Sequence, residues 1–326
     1  MSGTMGRASR PPGKAGVLFG ADLGGTKLRA ALADTSGTII NELVEPTVRG
    51  SGEEIVAQVA ATLATLAARA GVSPGSVRAA GLGLPLAVDP RTGESWSFHN
   101  VPGLGGLGGG AAGDAFGRAL GIPVALDNDA TCAALGEGRA GAAVGLADYA
   151  VIAIGTGIGS GIVAGGRLLR GAHGGAGEIA FLPLGTDPWD VQSRALGAYE
   201  TAVAGPAIRR RLQEALVAGV ATTLVAGSGL ADIASAAGAG DALAERLLDD
   251  EARYVALGIT ALAAVVDPEL VVLSGGVGAI PALLEPVRAH VARLSARPPP
   301  IATGLLGERA PLVGALGLAH DLALRS

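Results

Sequence analysis

Near the amino end, Asp22, Leu23, Gly24, Gly25, Thr26 and Lys27 join two apolar runs, 17–22 and 28–34. The set brings together an acid, two glycines, a hydroxyl and a lysine, which are the means of holding a phosphate and its magnesium ion. Backbone N–H groups at Gly24 and Gly25 have no side chain in their way, Thr26 can donate a hydrogen bond and Lys27 adds charge. Asp22 can hold a hydrated Mg2+ through water. A second turn, IGTGIGSG at 154–161, offers glycines and a hydroxyl without charge through Gly155, Thr156 and Gly157. Two such turns facing one cleft suggest a nucleoside triphosphate. Between them, Asp127, Asn128 and Asp129 fall where a strand-like run, 123–126, gives way to a helical pattern. A carboxylate there can cap the helix or accept a proton.

Other glycine patterns lack the context that gives a motif its chemistry. GLGGLG at 103–108 fits GxGxxG but follows His-Asn-Val-Pro rather than an apolar strand. GVSPG at 71–75 fits GxSxG, yet it follows a helix and puts Pro74 where a nucleophile turn must open one. Cys132 reads as a small buried residue, and His99 and His173 as structural.

The elements that must position these turns follow a repeating order. A hairpin over 17–34, a strand over 39–45, a helix over 53–70 and a strand over 77–84 come first. A glycine-rich loop at 103–110 then leads to a helix ending near Leu120, a strand at 123–126 and a helix opening at Asp129. A strand, glycine turn and strand start again at 149–166. Helices over about 193–217 and 241–266, a strand over 270–276, a helix over 281–294 and a last strand and helix after Pro300 follow. Two α/β halves, each opening on a glycine-turn hairpin, predict a duplicated chain with two lobes around a cleft. With 326 residues, 49% of them hydrophobic, the chain can fill two cores. A net charge of −5 argues against nucleic acid as partner, and a single cysteine excludes an internal disulfide or a thiolate cluster. No stretch has the apolar length of a membrane span or signal peptide, so a cytoplasmic protein is expected, with residues 1–15 a disordered tail.

The joint pattern resembles the ROK family of sugar kinases and sugar-responsive repressors, within the hexokinase, actin and Hsp70 fold group, over about 17–322. DLGGTK resembles the first phosphate loop, LDNDATCAALGE (126–137) the catalytic segment, IGTGIGSGIVAGGRLLRGAHGGAGEI (154–179) the second phosphate loop and signature, and LSGGVG (273–278) the adenosine loop. The resemblance implies an α/β, two-lobed duplicated ribonuclease H-like (actin/hexokinase-type) fold with a central cleft. A small lobe, 16–128, would be completed by a C-terminal helix, 308–326, and a large lobe would span 129–307. It makes Asp129 the base, with Asn100, Asn128, Glu178 and Glu200 on the sugar and Gly275 and Gly276 on the nucleotide. It implies ATP and Mg2+ as cofactors, a hexose as substrate and a homodimer or homotetramer.

The chain departs from that family at EIAFLPLGTDPWDVQSRALGAYE (178–200), where Phe181 takes the place of a histidine and the zinc-binding cysteines are missing. No zinc is expected; packing of Phe181 and Trp189 is expected to anchor the segment instead. The reading is an ATP-dependent hexose kinase, glucose at the 6-position, with a non-catalytic sugar sensor as the alternative. About 20 residues precede the first phosphate loop, too few for the repressors' winged helix, and Asp22, Lys27 and Asp129 are all present. The resemblance does not choose among glucose, mannose, fructose and N-acetylated amino sugars, nor between ATP and polyphosphate as donor.

Overall fold

The computed structural model describes residues 16–89, 91–92, 94–96, 101–107 and 111–325. The expected tail, together with His99, Asn100 and Gly108, lies outside the described residues. The first half comprises β1 (Val17–Leu23), β2 (Lys27–Asp34), β3 (Ile39–Pro46), α1 (Gly52–Ala70), β4 (Val77–Leu84), the short strands β5 (Ala87–Val88) and β6 (Ser95–Trp96), α2 (Ala111–Leu120) and β7 (Val124–Asn128). Helix α3 (Asp129–Ala140) leads to β8 (Tyr149–Ile154), β9 (Ile158–Ala164), β10 (Arg167–Leu168), α4 (Val191–Leu196), α5 (Glu200–Val203) and α6 (Gly205–Val217). There follow α7 (Leu230–Gly238), α8 (Ala242–Val266), β11 (Leu270–Ser274), α9 (Gly275–Gly278), α10 (Pro281–Leu294), β12 (Ile301–Thr303) and α11 (Ala310–Ala323).

The duplication expected from the two glycine turns is visible in the sheets. One has the order β3-β2-β1-β4-β7 and the other β10-β9-β8-β11-β12. In each, an antiparallel meander supplies the first three strands, and two parallel strands extend the sheet from the innermost of them. Strands β1 and β8 are apolar along nearly their whole lengths because helices cover both faces. On β1, Phe19 packs toward α1 and α2, whereas Leu18 packs toward α11. Helix α11 lies directly on the first sheet and on α3: a Cβ added at Gly81 would stand 1.8 Å from the Ala315 carbonyl oxygen, and one at Gly314 1.8 Å from that of Cys132. Both chain crossings between the halves meet at Glu137, whose fully buried carboxylate accepts the N–H groups of Ala142 (2.7 Å), Leu305 (3.2 Å) and Leu306 (3.0 Å).

Local signals place most boundaries. Helix α1 opens on a capping box between Ser51 and Glu54 and ends on Gly71, whose φ of 64° permits the left-handed cap. The helix expected over 193–217 is instead three helices. Gly197, with φ of 101°, ends α4, and Pro206 sits in the first turn of α6, where its missing N–H costs no bond. The strand expected to reach 276 stops at Ser274, because Gly275 turns with φ of 81°. Among the described residues no helix is long and apolar enough to cross a membrane.

Candidate active site

A cleft of about 320 Å³ opens between the two sheets, lined by the ends of β1, β7, β8 and β11. Strand ends converge there because parallel neighbours in each sheet deliver their carboxyl ends to the same edge. The cleft gathers Asp22, Lys27, Asn128, Asp129, Gly155, Thr156, Gly157, Glu178, Glu200, Gly275 and Gly276. Every one of these was expected from the sequence, whereas Gly24, Gly25 and Thr26, expected with them, do not line the cleft.

The two turns are built differently. At the first, the Gly24 N–H donates to the Lys27 carbonyl (2.9 Å), and the Thr47 hydroxyl donates to the Gly24 carbonyl (2.7 Å). The expectation that both glycines offer N–H groups is thus corrected for Gly24, whose N–H closes the turn. Gly25 and Thr26 complete it. Lys27 Nζ lies 2.7 Å from Glu308, which also meets Arg29 at 3.2 Å. Burial, helped by the charge of Asp129, pushes the Asp22 carboxyl up to about 7. A carboxylate so deprived of water is suited to a hydrated cation, so Asp22 fits the Mg2+ role.

The second turn carries no charge of its own. Its Gly155 N–H donates to the Gly157 carbonyl (2.8 Å), and the Gly155 carbonyl accepts from Gly205 (2.8 Å). Glu200 Oε2 accepts the Ile158 N–H at 2.9 Å and would stand 2.7 Å from a Cβ at Gly157. Glu200, expected on the sugar, therefore also braces this turn. Cβ atoms at Gly155 and Gly276 would meet nothing within 4 Å, so both faces are open to a ligand.

At the end of β7, Asn128 caps α3, its Oδ1 accepting from Ala130 (2.8 Å) and Thr131 (3.3 Å) while its Nδ2 donates to the Leu86 carbonyl (3.2 Å). Capping thus falls chiefly to Asn128. Asp129 accepts the Ala130 N–H at 2.7 Å, and desolvation pushes its carboxyl up to about 6. Burial also raises Glu178, with further contributions from Asp129 and Glu200.

The segment 178–205 corrects one expectation. Phe181 is 44% and Trp189 84% exposed, so neither anchors it. The anchor is Tyr199, fully buried, with its hydroxyl donating to the Val255 carbonyl (3.2 Å) and its N–H to the Ala180 carbonyl (3.1 Å). Hydroxyls of Thr186, Ser193 and Thr201 form a cluster, with Thr186 Oγ1 3.0 Å from Ser193 and 2.8 Å from Thr201. Arg211 donates to Glu251 and to the Ala202 carbonyl. Trp189 lies in the exposed connection just before α4, which Asp190 caps. Among the described residues no group of three or more metal-binding side chains comes together. Phe181 and Leu196 instead give the cleft an apolar wall.

Sequence reasoning missed Glu308, Glu137 and Arg170. Each acts on residues far away in the chain, and no local pattern marks such a pairing. Residues 18–322 match the ROK family. The chain is 35% identical over 299 residues to the bifunctional enzyme NanE/NanK of Brucella suis, covering 91% of this chain and 52% of that protein, so it spans about half that relative's length. The ROK hexokinase of Thermus thermophilus matches in structure with a TM-score of 0.76 and 33% identity, covering 95% of this chain and 100% of that one. The ROK glucokinase of Streptomyces griseus, solved with glucose and AMPPNP, gives a TM-score of 0.76 and 29% identity, covering 94% and 100%. Family match, duplicated sheets and the two glycine turns agree, and the chain belongs to the ROK family.

Proposed function

We propose that the chain transfers the γ-phosphoryl group of ATP to a hexose hydroxyl, glucose at its 6-position being the leading acceptor. The observation that carries the reading is Asp129, half-buried at a helix start with its carboxyl raised to about 6, in one cleft with Asp22, Lys27 and the glycine turn at 155–157. A base poised near neutral pH can take the hydroxyl proton as the bond to phosphorus forms. Asn128, Glu178 and Glu200 orient the sugar, while Gly155, Thr156, Gly157, Gly275 and Gly276 receive the nucleotide. The turn at Gly24, Gly25, Thr26 and Lys27 faces the phosphates, and Asp22 holds Mg2+ through water. The ion, when bound, offsets negative charge on the phosphates. Catalysis here is positioning plus electrostatics, with closure of the cleft excluding water as a competing acceptor. The likeness to a glucokinase solved with glucose and an ATP analogue supports this assignment. In this reading the protein acts in the cytoplasm as a homodimer or homotetramer, on small molecules rather than nucleic acid.

A coupled ADP-release assay over a panel of hexoses and amino sugars tests the proposal. Sugar-dependent ADP release well above the rate without sugar is expected. No release with any sugar would replace the kinase by the non-catalytic sugar binder.

A further inference from the structure

The strand that leads into Asp129 and the loop that leads into Glu178 come from opposite halves of the duplication, and an ion pair joins them directly. Arg170 donates to Asp127 Oδ2 twice, from Nε at 2.9 Å and from Nη2 at 2.7 Å. The other oxygen of Asp127 accepts the N–H of Asn128 at 3.0 Å. Asp127 is buried, and burial alone would favour its neutral form; the guanidinium beside it works in the opposite sense. Neither side chain lines the cleft.

Arg170 is fixed at its own end as well. Its carbonyl accepts the Ala176 N–H at 3.1 Å, closing the loop that runs to Glu178. That loop is pressed against both halves. A Cβ at Gly174 would stand 1.9 Å from the Val88 carbonyl oxygen, and the Ser160 hydroxyl donates to the Gly177 carbonyl at 2.8 Å. The side chain of Arg170, 40% exposed, therefore links a closed loop to Asp127, two residues before Asp129. A lysine offers only a point charge there, without the planar pair of donors.

Resting on the kinase reading above, we infer that Arg170 is a positioning residue for the transfer. Through Asp127 it sets the backbone of Asn128 and Asp129, and through its own loop the place of Glu178, so that one sugar is held by both halves with its hydroxyl at the base. A small displacement of a catalytic group is enough to reduce turnover by about a hundredfold. The nucleotide turns at 155–157 and 275–276 lie on other elements, so their affinity should be untouched.

The test uses Arg170→Met, Arg170→Lys and the double variant Arg170→Met, Asp127→Asn in the full chain. Thermal melts, steady-state kinetics, and calorimetry with glucose and with AMPPNP are read for each. Arg170→Met leaves a buried carboxylate without its partner, so its melting temperature should fall; the double variant removes that charge and should recover it. Positioning predicts that kcat stays about 10- to 100-fold low in the double variant despite the recovered melt, with AMPPNP Kd within about twofold of the parent and Arg170→Lys intermediate. Recovery of kcat together with the melt would make the pair merely structural and overturn the inference. So would equal losses of sugar and nucleotide affinity. If the parent chain phosphorylates no sugar, the kinase reading fails; sugar calorimetry then still decides the placement of Glu178, and an unchanged sugar Kd in the double variant would overturn it.

Discussion

The two β-hairpin turns at the cleft come from equivalent places in the two halves, yet they have diverged in chemistry. The turn between β1 and β2 carries Asp22 and Lys27 and is bound up with charged neighbours, Glu308 and Arg29. The turn between β8 and β9 carries only glycines and a hydroxyl, braced from beneath by Glu200. The same strand order thus yields one edge suited to ions and one suited to close backbone approach. In the proposed reading one triphosphate meets both, its charge and metal at the first edge and backbone at close range at the second. The duplicated strand order is kept while the two turns differ in chemistry.

The largest expected effect lies between the turns. Asp129→Asn should lower kcat at least about a hundredfold with little change in sugar Kd, because the amide keeps shape and one acceptor but cannot take a proton. As the proposed base, Asp129 works only when ionised, and desolvation raises it to about 6. As pH falls through about 6 it binds a proton, so kcat/KM should drop about tenfold per further unit, and a flat profile from pH 7 to 5 would contradict the assignment.

Next come the turns themselves, compared directly. Asp22→Asn should lower kcat/KM about a hundredfold and raise the Mg2+ concentration needed for half-maximal rate, because the charged edge loses its carboxylate. Gly157→Ala should act more mildly, raising the ATP KM about tenfold with kcat less affected, since the new methyl pushes on Glu200 Oε2. A Mg2+ titration unchanged by Asp22→Asn would break the contrast between the two edges.

Much of this site was legible in the sequence because short-range chemistry marks it. Asp22 to Lys27, Gly155 to Gly157 and Asn128 to Asp129 are each contiguous, so residue type and order carry their meaning. What was missed is non-local. Glu137 reaches Leu305 and Leu306, and Arg170 reaches Asp127, across stretches that no local period can register. The segment 178–205 misled for a related reason: aromatic residues suggest a core, but whether Trp189 is buried depends on how the connection before α4 packs, and there it is exposed. The helix expected over 193–217 failed at Gly197, where a positive φ breaks an otherwise periodic pattern.

That segment also gives the smallest effects and links them to the second turn. Tyr199 immediately precedes the brace Glu200, and its ring is fully buried. Tyr199→Ala should cost about 3–5 kcal/mol of stability, whereas Trp189→Ala should stay within about 0.5 kcal/mol. Chemical denaturation of the two variants measures both; equal losses would contradict the anchor identified here.

In the proposed mechanism two unlike turns on opposite halves serve one triphosphate across a closing cleft. Calorimetric titration of the acceptor sugar, with and without AMPPNP and Mg2+, tests it most directly. Sugar binding at least about fivefold tighter in the presence of the nucleotide is expected, the coupling that follows when each ligand favours the closed form. Equal sugar affinity in the two titrations would contradict it.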